Sequence, residues 1–309
     1  MSSISQTPTP ETRPLAAAGS VVAGMALIGL IDSLIVLIAD MGGLWQFHLI
    51  RTAMALPLLL VLARVMGQRL RPLRPVAVAI RSGLLATSMV LYFGALAFMP
   101  VGEAAAGLFT APIFVLLISV LALGERVGPR RLAAVAIGFA GVLLVLRPEA
   151  GGLKAASLMP LAGAVFYALA AIATRRYCAR ESTLTLLFGF FTGLGLWGAL
   201  GCVVLAIWQP VAPEGAAGFL LRGWTAPDAA FLFWTMVQAV GSIIGIGLLT
   251  RAYLLAEASF VAGFEYSLLI FAALWGWVLW GQVLSPWALV GIALIIGSGI
   301  VLARRGGTG

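Results

Sequence analysis

The chain has 309 residues, of which 62% are hydrophobic and only 10% charged, against about 25% charged in an ordinary soluble domain. Too few charges exist to cover a water-soluble fold of this size. The net charge of +8 does not signal a nucleic-acid partner, because the basic residues fall in short loops on one side of the apolar segments, as topology determinants do.

Taken in order, the first fifteen residues are polar and Pro/Thr-rich and read as a disordered tail. Apolar windows bounded by charged, Pro or Gly clusters then predict ten spans, at 16–38, 44–65, 76–99, 103–123, 131–147, 156–175, 183–208, 228–250, 258–280 and 286–303. Each is long enough to cross about 30 Å of hydrocarbon. The segment 16–38 is too long for a signal-peptide core. Pro57 and Pro112 fall inside spans, where a static kink or a gating hinge is open. The 37 glycines include the pairs Gly189/Gly193 and Gly241/Gly245, read as close helix packing. Residues 209–227, with Pro210, Pro213, Trp224 and Pro227, form the one long loop, irregular or interfacial on the outer surface.

With the amino terminus inside, Arg13, Arg64, Arg69, Arg71, Arg74, Arg81, Arg126, Arg130, Arg131, Arg175, Arg176, Arg180, Arg251, Arg304 and Arg305 fall inside. Only Arg147, Lys154 and Arg222 fall outside. Fifteen against three predicts an inner-membrane protein with both termini cytoplasmic. Cys178 and Cys202 then lie on opposite faces and form no disulfide.

A shift of 157 residues sets Gly124–Glu125–Arg126–Val127–Gly128–Pro129 against Gly281–Gln282–Val283–Leu284–Ser285–Pro286. It also aligns Phe114 with Phe271, Leu132 with Leu289, Ala136 with Ala293 and Arg147 with Arg304. Five spans per copy is an odd number, so the second copy is inverted. The expected fold is an all-α membrane protein of ten transmembrane helices, two inverted five-helix repeats around a central cavity.

Ionisable residues inside spans are candidate sites by default. Asp32 and Arg51 sit at matching depth, roughly 9–11 Å below the outer boundary at 1.5 Å per residue. Either they form a permanent ion pair, or Arg51 binds an anionic solute group while Asp32 orients it or titrates. His48 shares a helix face with Trp45 and Thr52; the single histidine builds no metal site and is a packing residue, a solute contact or a proton carrier. Glu265, between Phe264 and Tyr266 with no basic residue in its span, suits proton coupling, recognition of a cationic group or a hydrogen-bonded structural role. Trp234, Gln238, Ser242 and Gly245 form a stripe at helical spacing, and Thr87, Ser88, Tyr92 and Tyr167 are further candidates for the cavity wall. Glu125, Arg81, Arg131, Arg251 and Glu257 form either a cytoplasmic gate or, as preferred, a solvated rim.

Several stretches resemble the EamA-type permeases of the drug/metabolite transporter superfamily. They are Phe47–His48–Leu49–Ile50–Arg51–Thr52, Ala95–Leu96–Ala97–Phe98–Met99–Pro100, Thr110–Ala111–Pro112–Ile113–Phe114, Gly124–Glu125–Arg126, Thr174–Arg175–Arg176, Arg251–Ala252–Tyr253, Phe264–Glu265–Tyr266 and Gly297–Ser298–Gly299. The chain departs at Val36, where many members carry a lysine one turn after the span 1 aspartate, and at Gln282, which faces Glu125 in the repeat alignment. The resemblance implies EamA repeats at 16–150 and 151–303, a cytoplasmic tail at 304–309, and transport of a small organic metabolite by alternating access. Amino-acid-like, S-adenosylmethionine-like and flavin-like solutes are the classes it suggests. No cofactor and no nucleic acid are expected; the expected partners are the solute and the bilayer, with proton coupling left open, for a monomer or homodimer. The alternatives are a membrane-embedded channel and, with less in its favour, an integral membrane enzyme, since HExxH, GxSxG and phosphate-cradling motifs are all missing from the sequence.

Overall fold

The computed structural model describes residues 14–111, 113–114, 117–118, 121, 129–146, 155–178, 180–255 and 264–303. The tails at 1–13 and 304–309, Pro112, the turn at 124–128 with Glu125 and Arg126, Arg147, Lys154 and Glu257 lie outside the described residues. Every regular element among the described residues is a helix. The helices are α1 (Pro14–Ser33), α2 (Ile35–Met41), α3 (Leu44–Val65), α4 (Pro75–Ala95), α5 (Val101–Leu108), α6 (Pro129–Leu146), α7 (Ala155–Tyr177), α8 (Thr183–Trp208), α9 (Ala229–Leu255), α10 (Ser267–Trp280) and α11 (Pro286–Ala303), with a 3₁₀ turn at Gly215–Gly218.

Local chemistry sets the ends. Ser182 caps α8, its hydroxyl accepting from Thr185 N–H at 3.1 Å, and Asp228 caps α9 through Phe231 N–H at 2.7 Å. Pro75 and Pro286 open α4 and α11, where a missing N–H costs nothing. Gly281 ends α10 in the left-handed region. Helix α4 stops at Ala95 rather than at 99, because Met99 precedes Pro100 and that position disfavours helix. Helix α3 runs through Pro57 without a break in its assignment. Pro14 and Leu15 are helical, not part of the expected tail.

Spans 1, 4 and 9 are not the single helices expected. Span 1 breaks at Leu34, span 4 turns at Phe109–Thr110, and span 9 turns at Tyr266. Phe109 and Tyr266 are 157 residues apart, and their rings meet at 5.5 Å.

Leu15–Met41, Leu44–Val65, Pro75–Ala95, Thr183–Trp208 and Ala229–Leu249 are each long and apolar enough to cross a membrane. The outward faces are apolar: Leu196, Leu200, Val203 and Ile207 form an exposed stripe on α8. The opposite α8 face carries Phe191, Leu194, Gly195, Gly198 and Gly201 and is buried. Helix α1 packs on α9 and α10, α3 on α8 and α9, α4 on α7 and α8, α5 on α7 and α10, and α6 on α11. Glycines set the close approaches. A Cβ on Gly24 would lie 3.1 Å from Gly245 O, and one on Gly163 would lie 3.1 Å from Ser88 O.

Candidate solute site in the membrane interior

The break in span 1 places Asp32. Ser33 donates back to Gly29 O at 2.8 Å, a local alternative to the regular helix ladder. The carbonyls around the break find donors on other helices. Gln238 on α9 donates to Ile31 O at 2.5 Å, Trp280 on α10 to Ser33 O at 2.8 Å, and Trp275 to Ala26 O at 3.0 Å. Irregular backbone at membrane depth is tolerated when its polar groups are satisfied in this way.

Asp32 and Arg51 do not form the direct ion pair that their matching depth suggested. Asp32 accepts from Tyr92 at 3.0 Å, with the Gln238 amide and the Arg51 charge close enough to act on it. Arg51 donates through Nη2 to Ser242. Its guanidinium lies over three rings, Phe93 at 4.9 Å, Phe47 at 5.5 Å and Phe191 at 5.6 Å. This aromatic box attracts the cation through the ring quadrupoles, which is why Arg51 needs no carboxylate at contact distance. Nε and Nη1 of Arg51 have no hydrogen-bond partner among the described residues. Neither has either ring nitrogen of His48, which lies 5.0 Å from Phe47 and 5.4 Å from Phe93. Gln238 Oε1 and Thr235 Oγ1 are also without partners there. Asp32, His48 and Arg51 are all buried.

Other candidates are used elsewhere. Trp45 does not join His48. Its indole donates to Leu220 O at 3.0 Å, and its ring covers Gly201, where any Cβ would overlap it. Thr52 donates to Phe191 O at 2.9 Å. Trp234 is half-buried and packs edge-on against Phe233. Tyr167, Glu265 and Tyr266 gather at a second place, where Glu265 interacts electrostatically with both tyrosines and Arg81 with Tyr167. Arg81 is no solvated rim residue: Nε donates to Thr174 at 3.0 Å and Nη1 to Leu186 O at 3.2 Å.

The loop 209–227 straps the C-terminal end of α2 and the N-terminal end of α3. Arg222 donates to Ala39 O at 2.5 Å, Gly42 O at 2.9 Å and Gly215 O at 2.6 Å. Gln46 exchanges hydrogen bonds with Thr225 at 2.7 and 3.0 Å. Beneath it, the fully buried Phe219 ring lies 6.4 Å from Phe47, itself a wall of the Arg51 box. Phe93, Phe191, Trp280 and Arg222 were not legible as site residues. Phe47 alone stood in a quoted motif, one turn before Arg51.

A buried cation with unused donors, walled by aromatic rings, is chemistry for holding an anionic and planar solute group. Comparison with known proteins gives the matching class. Residues 15–147 match the model of the EamA-like transporter family. Through this first half, the chain is similar to the EamA-like transporter family. It is 28% identical over 222 residues to a riboflavin transporter of Rhizobium johnstonii, covering 72% of this chain and 68% of that protein. It is 28% identical over 257 residues to a pseudopaline exporter of Pseudomonas aeruginosa, covering 82% and 84%. An S-adenosylmethionine uptake transporter of Rickettsia bellii is 25% identical over 230 residues, covering 74% and 72%. The fold is shared with a crystal structure at a TM-score of 0.62 and 22% identity, spanning 94% of this chain and 99% of that one. With five helices among its described residues long and apolar enough to cross a membrane, the chain is thus a multi-pass membrane protein similar to transporters of small metabolites.

Proposed function

We propose that this EamA-like chain carries one small organic solute at a time across the inner membrane by alternating access, through a site centred on Arg51. The single observation that carries this reading is the Arg51 guanidinium, buried in an aromatic box with Nε and Nη1 unused. It sits where α3 of the first half meets Ser242 of the second. Asp32, Tyr92, His48, Gln238 and Ser242 surround the solute, while Glu265, Tyr167 and Tyr266 serve proton coupling toward the cytoplasm. Trp45 and Trp234 act as packing residues at the edge of this site.

The architecture we propose is ten spans in two inverted repeats, 16–150 and 151–303, with cytoplasmic tails at 1–15 and 304–309. The helix contacts support it, because they map onto themselves when the halves are exchanged. The α1–α9 contact corresponds to α7–α4, α1–α10 to α7–α5, and α3–α9 to α8–α4, while α3–α8, α5–α10 and α6–α11 are their own counterparts. The equivalent turns at Phe109 and Tyr266 support it further.

The names of the relatives supply riboflavin and S-adenosylmethionine as the first solutes to try, and an amino-acid mixture is added for the amino-acid-like class. Proteoliposomes preloaded with each unlabelled solute are assayed for counterflow of its labelled form. Saturable counterflow of one of them, lost in Arg51→Gln, is the expected result. Ohmic current without counterflow would sink the reading in favour of a channel.

A further inference from the structure

A groove of about 510 Å³ opens between the arginine-rich ends of α4 and α7, lined by Arg74, Pro75, Val76, Ala77, Ile80, Ala173 and Tyr177. The small side chains of Ala77 and Ala173 leave this gap between the larger Ile80 and Tyr177. Next to Ile80 in sequence, Arg81 ties α4 to α7 and α8 through its bonds to Thr174 and to Leu186 O. Val76, Ile80 and Tyr177 are exposed along it, so its walls are apolar and face outward, where a membrane protein meets lipid tails.

The mouth is basic. Arg74 lines it, and the Arg176 guanidinium lies 5.9 Å over the Tyr177 ring. Arg71 and Arg180 are exposed in the adjoining loops. Among the described residues, the acid at this mouth is Glu181, whose two oxygens accept from the backbone N–H groups of Leu73 and Arg74 at 3.0 and 2.8 Å. The guanidinium groups are therefore left for another anion. From Arg74 to Ile80 the groove descends roughly 9 Å along α4, from charge into hydrocarbon.

We propose that this groove binds one anionic phospholipid, its phosphate at Arg74 and Arg176 and one acyl chain along Ala77, Ile80 and Ala173. A ligand matching this gradient has a negative head joined to an apolar tail. Basic pockets between spans select such lipids, and arginine recognises phosphate with fixed geometry. Because α4 and α7 belong to opposite halves of the chain, the lipid bridges the two. The site does not depend on which solute is carried, and a failed flux assay leaves it untouched.

The test is native mass spectrometry of the full chain in detergent, incubated with equal amounts of phosphatidylglycerol and phosphatidylcholine bearing identical chains. The expected result is preferential retention of phosphatidylglycerol. Arg74→Gln combined with Arg176→Gln reduces it roughly 25-fold, about fivefold for each charge removed. Ala77→Phe, which fills the groove and keeps both arginines, abolishes it and decides the matter should the double variant not fold. Arg64→Gln with Arg69→Gln, an equal charge loss elsewhere, leaves it unchanged. Equal retention of the two lipids, full retention after Ala77→Phe, or an equal loss in the control pair would each overturn the site.

Discussion

Arg51 illustrates how one residue is held by its surroundings. A buried guanidinium normally demands a carboxylate in contact, yet here three phenylalanine faces and one serine hydroxyl do the holding. The planar fork stacks on rings in a way an ammonium does not. Arg51→Lys is therefore expected to lower saturable counterflow about tenfold or more while the protein still elutes as a monodisperse peak. Gly198 makes the opposite kind of demand, for space alone. A Cβ there would lie 2.6 Å from Leu49 N and 2.7 Å from Trp45 O. Gly198→Ala should destabilise the protein by about 1–3 kcal/mol through overpacking, read as a lower thermal unfolding midpoint. The sequence marked Arg51 through its cost in a membrane. It could not mark Phe191, which is one apolar residue among many in α8 and reaches the box only by the α3–α8 crossing.

The break between α1 and α2 belongs to the scale of elements. Spans 2, 7 and 10 run as their apolar windows predict, at Leu44–Val65, Thr183–Trp208 and Pro286–Ala303. Span 1 does not, and the reason is physical: Ile31–Asp32–Ser33–Leu34 contains no Gly or Pro, and the donors that satisfy the break come from elsewhere. Trp280→Phe removes the donor to Ser33 O and should cost about 1 kcal/mol. Hydrogen exchange at residues 34–37 should accelerate in that variant more than in the rest of α1. The 209–227 strap makes a similar prediction. Arg222→Met leaves the Ala39, Gly42 and Gly215 carbonyls without this donor, so proteolysis within residues 213–225 should quicken while the melting of the spans changes little. Arg81 shows the reverse failure of sequence reasoning: a charge near a span end looks solvated until a neighbouring helix supplies Thr174.

At the scale of the molecule, the proposed topology rests on the alternation of arginine between successive loops, because each span would reverse the side. The proposed topology predicts that a single cysteine at Gln68 is labelled only from the cytoplasmic side and one at Val211 only from the opposite side, in a Cys178→Ser, Cys202→Ser background. Both positions are exposed. Labelling of both from one side would remove the odd number of spans between them. The proposed inverted halves are only faintly legible in the sequence, since contacts repeat where residues do not: Phe109 and Tyr266 lie at turns 157 residues apart with different side chains.

The donors that stabilise the α1–α2 break also carry a consequence for biosynthesis. Ile31 is separated from Gln238 by 207 residues, and Ser33 from Trp280 by 247. When the first span leaves the ribosome, neither partner has been made. The nascent segment therefore enters the bilayer without these donors, which exist only once residues 238 and 280 have been made. The geometry around Asp32 is among the last parts of the protein to form, and translation arrested before residue 238 yields a first half that lacks it.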